Sequence, residues 1–352
     1  MDGIVFTPAR FPPGSDIEEN GYRLHSTASE AIIVDVYAYT GDQGTPMGTL
    51  LISNSAGITF TLSIDYTNRN NNGEVDFERM QGLRGTLLVN VVTNPEEVLS
   101  GGIKSLASKI SFNDGGRWLP IKAPTYTVNG QPYVCAVLGS CSLHLHSVTE
   151  RSQAGLVFSS STAVGMMMGV GNVGNSLTAY DQGNTYLTRD GGVTWQEVRL
   201  GAHMYEFADR GALLVIVNDE DPTDHIRYSW NEGLTWTSYV FSLGTKIRAR
   251  WLTTDPDSTS QKFLLFGDFK DINNVTHNRM VQLDFTGLHE TKCQTTDFEV
   301  WTPVGAGDPC LLGSQVTYRR RKQNVTCYID DDSLNTVVST TSCQCVADDF
   351  EW

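Results

Sequence analysis

Four stretches of the chain repeat one spacing, Ser/Thr-x-Asp/Asn-x-Gly-x-x-aromatic, and no other feature narrows the accessible folds as much. "TRDGGVTW" carries it at Thr188, Asp190, Gly192 and Trp195; "SWNEGLTW" at Ser229, Asn231, Gly233 and Trp236; "SFNDGGRW" at Ser111, Asn113, Gly115 and Trp118. A degenerate copy, "SNSAGITF", has Ser53, Ser55, Gly57 and Phe60. The physics of the pattern is local. An Asp or Asn side chain accepts hydrogen bonds from backbone N–H groups just ahead of it and closes an Asx-type turn. The glycine supplies the positive φ that a tight hairpin needs. The aromatic residue opens the return strand and packs under the turn. Each copy reads as a hairpin staple, so its acidic and amide residues are scaffold rather than catalyst or metal ligand.

Runs of strand-forming residues surround the copies: "AIIVDVYAY" (31–39), "GTLLIS" (48–53), "GTLLVNVVT" (85–93), "AVGMMMGV" (163–170), "ALLVIVN" (212–218), "IRYSW" (226–230) and "KFLLFGDF" (262–269). Gly, Pro, Asn and Asp punctuate them. One short helix signal, "NPEEVLSGG", lies at 94–102. With 33 glycines, 13 tyrosines and only 18% charged residues, the composition favours many short strands over helices. Stapled hairpins at irregular intervals are the sequence signature of a β-propeller. Four stapled blades are expected, with a fifth, unstapled one at about 247–286.

A formal net charge of −15 argues against nucleic acid and anionic membrane as partners, because both repel such a surface. No apolar run is long enough to span a bilayer, and the N-terminal "MDGIVFTPARFPPGSD" lacks the basic and apolar regions of a signal peptide. Two acceptor sequons nevertheless occur, at Asn274 and Asn324. Of the seven cysteines, Cys135 and Cys141 lie close together and Cys293, Cys310, Cys327, Cys343 and Cys345 crowd the C-terminal end. None forms a CxxC pair, so zinc is a poor fit. A late, cysteine-dense segment points instead to disulfides and an oxidising lumen. The odd number leaves at least one thiol without a partner, and together these features predict a piece of a longer secretory-type protein.

Six strings in order, "GEVDFERMQGLRGTLLVNVV" (73–92), "NDGGRWLPIKAP" (113–124), "CSLHLHSVTER" (141–151), "YLTRDGGVTW" (186–195), "DPCLLGSQVTYRRRKQNVTCY" (308–328) and "CQCVADDFEW" (343–352), resemble the sortilin family of luminal sorting receptors, most closely its fungal branch. The resemblance implies an all-β chain: about five blades, half of a ten-bladed propeller, in residues 1–287, followed by the start of a ten-cysteine module in 288–352. It implies disulfides Cys135–Cys141, Cys293–Cys327 and Cys310–Cys343, with Cys345 left unpaired. Trp352 departs from the family pattern, which usually has cysteine there, and this points to a truncated or mis-spliced gene model, with a real short isoform as the alternative.

The family grips cargo inside the propeller tunnel, which the innermost strand of each blade lines. Those strands would be roughly 21–25, 85–92, 163–170, 202–207 and 247–253, with Tyr22 and Leu24 of "GYRLH" matching peptide-contacting positions. The arginine that pairs with a peptide carboxylate in related receptors belongs to a preceding blade and has no counterpart here. The implied function is that of a luminal segment of a receptor carrying soluble hydrolase cargo from Golgi to endosome and vacuole. Its full-length parent would be membrane-anchored and would bind cytosolic adaptors through its tail. No cofactor, metal, catalytic residue or nucleic-acid partner is expected.

His144 and His146 alternate along one strand, but no third ligand accompanies them, so they read as structural. "YRRRK" (318–322) reads as a solvated strand beside the disulfides, facing the "DDD" at 330–332. A propeller glycosidase of sialidase type is the alternative of another class. Arg248 and Arg250 share a strand face, and Glu197 and Glu206 are available, but nothing in the sequence groups them. A non-functional fragment of an incomplete gene is the third reading.

Overall fold

The computed structural model describes residues 7–15, 17, 21–25, 31–40, 44–150, 158–305, 307–329 and 336–344. Its sheets follow one another along the chain, each an antiparallel meander. The first holds β1 (Tyr22–His25), β2 (Ile33–Thr40), β3 (Pro46–Ser53) and β4 (Phe60–Asn68). The second holds β5 (Phe77–Arg79), β6 (Leu87–Val92), β7 (Leu106–Ser111) and β8 (Leu119–Pro120), and its ladder runs on from the first at the β4–β6 pair Thr67 with Val91, so that the two together make eight hydrogen-bonded strands. In the third are β9 (Ser142–Leu145), β10 (Met167–Gly174), β11 (Asn184–Thr188) and β12 (Gln196–Arg199); in the fourth, β13 (His203–Ala208), β14 (Leu213–Asn218), β15 (His225–Ser229) and β16 (Thr237–Val240). Three-stranded sheets complete the series: β17 (Arg248–Thr253), β18 (Lys262–Lys270) and β19 (Thr276–Asp284), then β20 (Phe298–Trp301), β21 (Ser314–Arg321) and β22 (Val337–Ser342). The helix signal near residue 95 forms only α1 (Pro95–Leu99), with proline in its first turn.

The central strands are apolar on both faces because a sheet covers each face. Successive side chains of a strand point to opposite sides, so neighbours in sequence feed different cores. In β6, Leu87 joins Ile33, Leu50 and Phe77 between the first and second sheets. Leu88, the next residue, joins Leu143, Leu145 and Met167 between the second and third. The "MMM" run divides the same way, with Met166 and Met168 packing against Leu187, Phe207, Leu214 and Ile216 toward the fourth sheet. In β14, Leu213, Val215 and Val217 pack with Ala249, Leu252, Phe263 and Leu265 of the fifth. A propeller-like stack of sheets results.

The turns between the third and fourth strands lock the stack. In three of them the Ser or Thr hydroxyl accepts the glycine N–H, at 2.9 Å for Ser111–Gly115, 3.0 Å for Thr188–Gly192 and 2.8 Å for Ser229–Gly233. The same hydroxyl donates to the Asn or Asp Oδ1 two residues on, which in turn accepts the N–H of Arg117, Thr194 or Thr235. Two consecutive residues in each turn are left-handed: Asp114 and Gly115 (φ 52° and 91°), Gly191 and Gly192 (77° and 92°), Glu232 and Gly233 (54° and 87°). The paired left-handed residues turn the chain sharply inside each seven-residue connection, a conformation that glycine adopts without steric cost.

The degenerate copy closes differently. Asn54, one residue before Ser55, supplies the Oδ1 that accepts the N–H groups of Ile58 and Thr59, while the Ser53 hydroxyl accepts the N–H of Ile32. Gly57 still takes φ 69°, and Phe60 is buried. Of the other aromatic residues, Trp195 is buried and donates its Nε1–H to Gly192 O, whereas Trp118 is half-buried and donates to Ser63 of the preceding sheet.

Each glycine also presses on the sheet before it. A Cβ added to Gly192 would lie 2.5 Å from Ile110 Cδ1, and one on Gly233 would lie 2.3 Å from Leu187 Cδ2; at Gly115 the nearest atom is Ser63 Oγ at 2.9 Å. Gly233→Ala therefore adds left-handed strain to a steric clash, and about 1–3 kcal/mol of destabilisation is expected. Urea unfolding should show a lower midpoint, whereas Gly201→Ala, equally left-handed but in open space, should cost clearly less.

Candidate functional site

Tyr22 and Leu24 lie on β1, which hydrogen-bonds to β2 along one edge. Their cross-strand partners are Val36 and Val34, so all four side chains share one face of the sheet. Val34 and Val36 are buried, but Tyr22 and Leu24 are 46% and 65% exposed. On the opposite face, the His25 ring meets Phe77 in a tilted contact at 4.2 Å and Arg23 donates to Gly73 O at 2.8 Å, which tie the strand to the second sheet. The result is a strand edge with two apolar side chains open to solvent beside a packed core.

The assignment of tunnel-lining strands needs correcting at two of five places. Residues 85–92 and 163–170 contain β6 and the start of β10, and each of these strands is flanked on both sides. An edge strand cannot be flanked twice. The first strands of those sheets are β5 and β9. The error arose because a strand buried on both faces has the strongest apolar signal, and such strands lie inside a sheet.

The glycosidase constellation does not assemble. Glu197 sits with Tyr133 and Tyr186, a grouping that superficially suits a tyrosine nucleophile. Yet its carboxylate also accepts from Asn184 Nδ2 (3.0 Å) and Val128 N (3.0 Å), and it is buried. A nucleophilic phenol must give up its proton readily, whereas burial, followed by the bond to Glu197, pushes Tyr133 up to about 12. The cluster pins the 125–141 segment, closed by the Cys135–Cys141 disulfide, onto the third sheet. Arg248 pairs with Glu220, and Arg250 with Asp268. Burial raises Glu206 to about 7; the Phe207 N–H opposes the shift and the Asp255 charge adds to it.

The histidines occupy separate contacts. His144 Nδ1 accepts the Ser108 N–H from the second sheet (3.1 Å), leaving Nε2–H to donate to Gly174 O (3.0 Å), so the neutral ring bridges two sheets. His146 pairs with Glu150 at 2.6 Å and meets the Tyr180 ring. Among the described residues, the only His/Cys/Asp/Glu group compact enough for a metal is Cys293, Asp297 and Cys327, and its two sulfurs are joined in a disulfide.

The basic run at 318–322 is no solvated strand. Arg321 is 2% exposed, and its guanidinium donates to the carbonyls of Cys327 (2.8 Å), Val325 (3.0 Å), Ala212 (3.3 Å) and Trp230. Arg320 pairs with Glu299, lies 4.5 Å over the Trp301 ring and donates to Arg189 O at 2.6 Å. Ile329 N donates to Asp209 Oδ1. The sixth sheet is thus docked on the staple turns of the third and fourth sheets, and the Arg189–Glu232 ion pair joins those two turns. In sequence, a charged triplet gives no sign that its third member is buried. The "DDD" at 330–332 lies outside the described residues, as do Cys345 and Trp352. The other disulfides join Cys293 to Cys327 and Cys310 to Cys343 across the sixth sheet. Asn274, at the β18–β19 hairpin, and Asn324 are both exposed.

The Sortilin-Vps10 family model, described as sortilin, neurotensin receptor 3, matches residues 1–252. The chain belongs to that family. The Sortilin_C model, for the C-terminal part of the same proteins, matches residues 254–352. A protein named "Vacuolar protein sorting/targeting protein 10" from Mycosarcoma maydis is 41% identical over 359 residues, covering 100% of this chain and 23% of the relative. Its namesake from Coccidioides posadasii is 43% identical over 344 residues, 96% of this chain and 22% of the relative. This Sortilin-Vps10 chain therefore spans about a quarter of the length of the curated relatives it matches. Among solved structures, an ancestral GH74 enzyme aligns at 13% identity and TM-score 0.37, covering 88% of this chain and 40% of that one. The NanB sialidase of Streptococcus pneumoniae aligns at 10% identity and TM-score 0.29, covering 87% and 66%. Likeness at that level carries no argument. No helix among the described residues is long and apolar enough to cross a membrane.

Buried His203 makes the pH response testable. Burial lowers it to about 4, with the Arg199 and Arg227 charges adding to the effect and the bond to Gly201 O opposing it. Between pH 6.5 and about 4 the unfolded chain takes up this proton and the folded chain resists it. The contribution of neutral His203 is thus present above 6.5 and is lost as pH falls toward 4. Asp35, raised to about 6 by burial against its bonds to Thr67 and Arg69, acts in the opposite sense. Comparison with His203→Gln isolates the histidine. The variant's stability advantage should grow by about 1–3 kcal/mol from pH 7 to pH 4.5; parallel denaturation curves across that range would remove the assignment.

Proposed function

We propose that this chain is a luminal ligand-binding segment of a sorting receptor, acting on soluble protein cargo of the vacuolar hydrolase class and doing no covalent chemistry. The observation that carries the reading is the Sortilin-Vps10 match over residues 1–252, in a chain whose acidic and aromatic motif residues are engaged in holding turns. Residues 1–287 form the C-terminal half of a propeller and 288–352 the first part of a cysteine module in this reading. Its setting is the lumen of Golgi and endosomal compartments. The larger parent is anchored in the membrane and engages cytosolic adaptors, and Asn274 and Asn324 carry glycans.

Cargo contact is assigned to the β1 edge. Tyr22 and Leu24 offer an aromatic and an aliphatic surface on one side of an extended strand, the arrangement that receives the alternate side chains of an extended peptide. The test is binding of a purified soluble vacuolar hydrolase precursor, such as pro-carboxypeptidase Y, by biolayer interferometry. Weak, saturable binding is expected, reduced several-fold by Tyr22→Ala and abolished by the Tyr22→Ala/Leu24→Asp pair with circular dichroism unchanged. Binding that ignores both substitutions would displace the site from β1. Hydrolysis of a sialoside or arylglycoside by the chain would overturn the receptor reading.

A further inference from the structure

Hydrogen bonding alternates along the β1–β2 ladder. The Tyr37 N–H donates to Gly21 O at 2.6 Å, which makes Arg23 with Asp35 and His25 with Ile33 the hydrogen-bonded pairs. Tyr22 and Leu24 hold the alternate positions, so their N–H and C=O groups point away from β2, out of the free edge of the sheet. An antiparallel peptide strand added there pairs with those groups. Residues directly opposite one another share a face. Two side chains of the added strand therefore lie beside Tyr22 and Leu24, and the one between them lies beside Arg23. Arg23 is exposed; its Nε–H donates to Gly73 O (2.8 Å), and among the described residues its terminal nitrogens meet no acceptor. The carboxylate across from it, Asp35, is held by Arg69 Nη1 (2.6 Å) and the Thr67 hydroxyl, and Glu74, next to Gly73, accepts from Asn70 Nδ2 (2.6 Å). Burial lowers His25 to about 4, and the Arg23 and Arg69 charges add to the effect, so His25 brings no charge of its own at neutral pH.

We propose that Arg23 is a specificity-determining residue of the β1 edge, selecting an extended peptide segment in which an acidic side chain stands between two apolar ones. This selectivity rests on the assignment of cargo contact to β1. A guanidinium whose Nε is already held keeps both terminal nitrogens for one carboxylate and loses little side-chain freedom on pairing. On a chain of net charge −15 the surface at large repels an acidic ligand, and only an uncompensated cation holds it. Arg23 thus discriminates among extended peptides that satisfy the backbone edge and the apolar face equally well.

The test is fluorescence anisotropy of the purified chain with labelled peptides of equal length, centred on leucine–glutamate–leucine, leucine–glutamine–leucine or leucine–lysine–leucine and flanked by glycine and serine. The wild-type chain is expected to bind the glutamate peptide about fivefold more tightly than the glutamine peptide, the scale of one exposed ion pair. The lysine peptide should bind more weakly than either, and added salt should narrow the gap. With circular dichroism unchanged, Arg23→Gln removes the preference, Arg23→Lys keeps part of it and Arg23→Glu turns it toward the lysine peptide. Tyr22→Ala weakens all the peptides alike. Equal binding of the peptides by the wild-type chain, still weakened by Tyr22→Ala, would overturn the selectivity and leave the β1 edge in place. So would a preference for glutamate that survives Arg23→Glu. Failure of every peptide to bind, or binding indifferent to Tyr22→Ala, would remove the β1 edge itself and the role of Arg23 with it.

Discussion

A glycine held at positive φ and pressed against the preceding sheet is the contact on which the stack depends. In the staple turns around Gly115, Gly192 and Gly233, two consecutive left-handed residues let a seven-residue connection fold back tightly between its strands. The missing side chain lets the turn approach Ser63, Ile110 or Leu187 closely enough to shut water out. Local turn geometry and packing between sheets are therefore satisfied by the same atom count at the same place. The hydroxyl and carboxamide around each glycine serve the backbone N–H groups that such a tight turn would otherwise leave buried and unpaired. This explains why the residues that look most like catalytic carboxylates are occupied before any ligand arrives.

The same turns receive the C-terminal sheet. β21 supplies Arg320 and Arg321, whose guanidinium groups meet backbone carbonyls at Arg189, Ala212 and Trp230. A buried arginine surrounded by carbonyls is tolerable because its planar fork can satisfy several acceptors at once. Trp301 fills the space left by Gly165 and Gly191, with Arg320 over its other side. Two disulfides brace the sheet, whose own apolar burial rests largely on Val316 and Tyr318. Entropically, such cross-links contribute about 2–4 kcal/mol each. That contribution is substantial for a layer only three strands wide.

Buried titratable groups at the sheet interfaces oppose one another. His25 and His203 are held neutral by burial and favour the folded state at neutral pH, whereas burial keeps Glu78 protonated up to about 8 and Asp35 up to about 6. The response of the whole stack to acid is the sum of these terms, and individual substitutions separate them.

The amino-acid sequence by itself determined the all-β character, the three complete staples and most of the strongly buried strands. It also determined membership of the family, because six ordered strings depend on residue identity and not on packing. Local hydrogen bonding is encoded by neighbours in the chain, so a turn with the right hydroxyl, amide and glycine is legible without its partners. Tertiary structure alone decided that β5 and β9 are the edge strands and that Arg321 is buried. It alone joined Tyr133 to Glu197 across sixty-odd residues. Each of those outcomes turns on which sheet lies opposite, and a burial pattern read along one strand carries no record of what packs across from it.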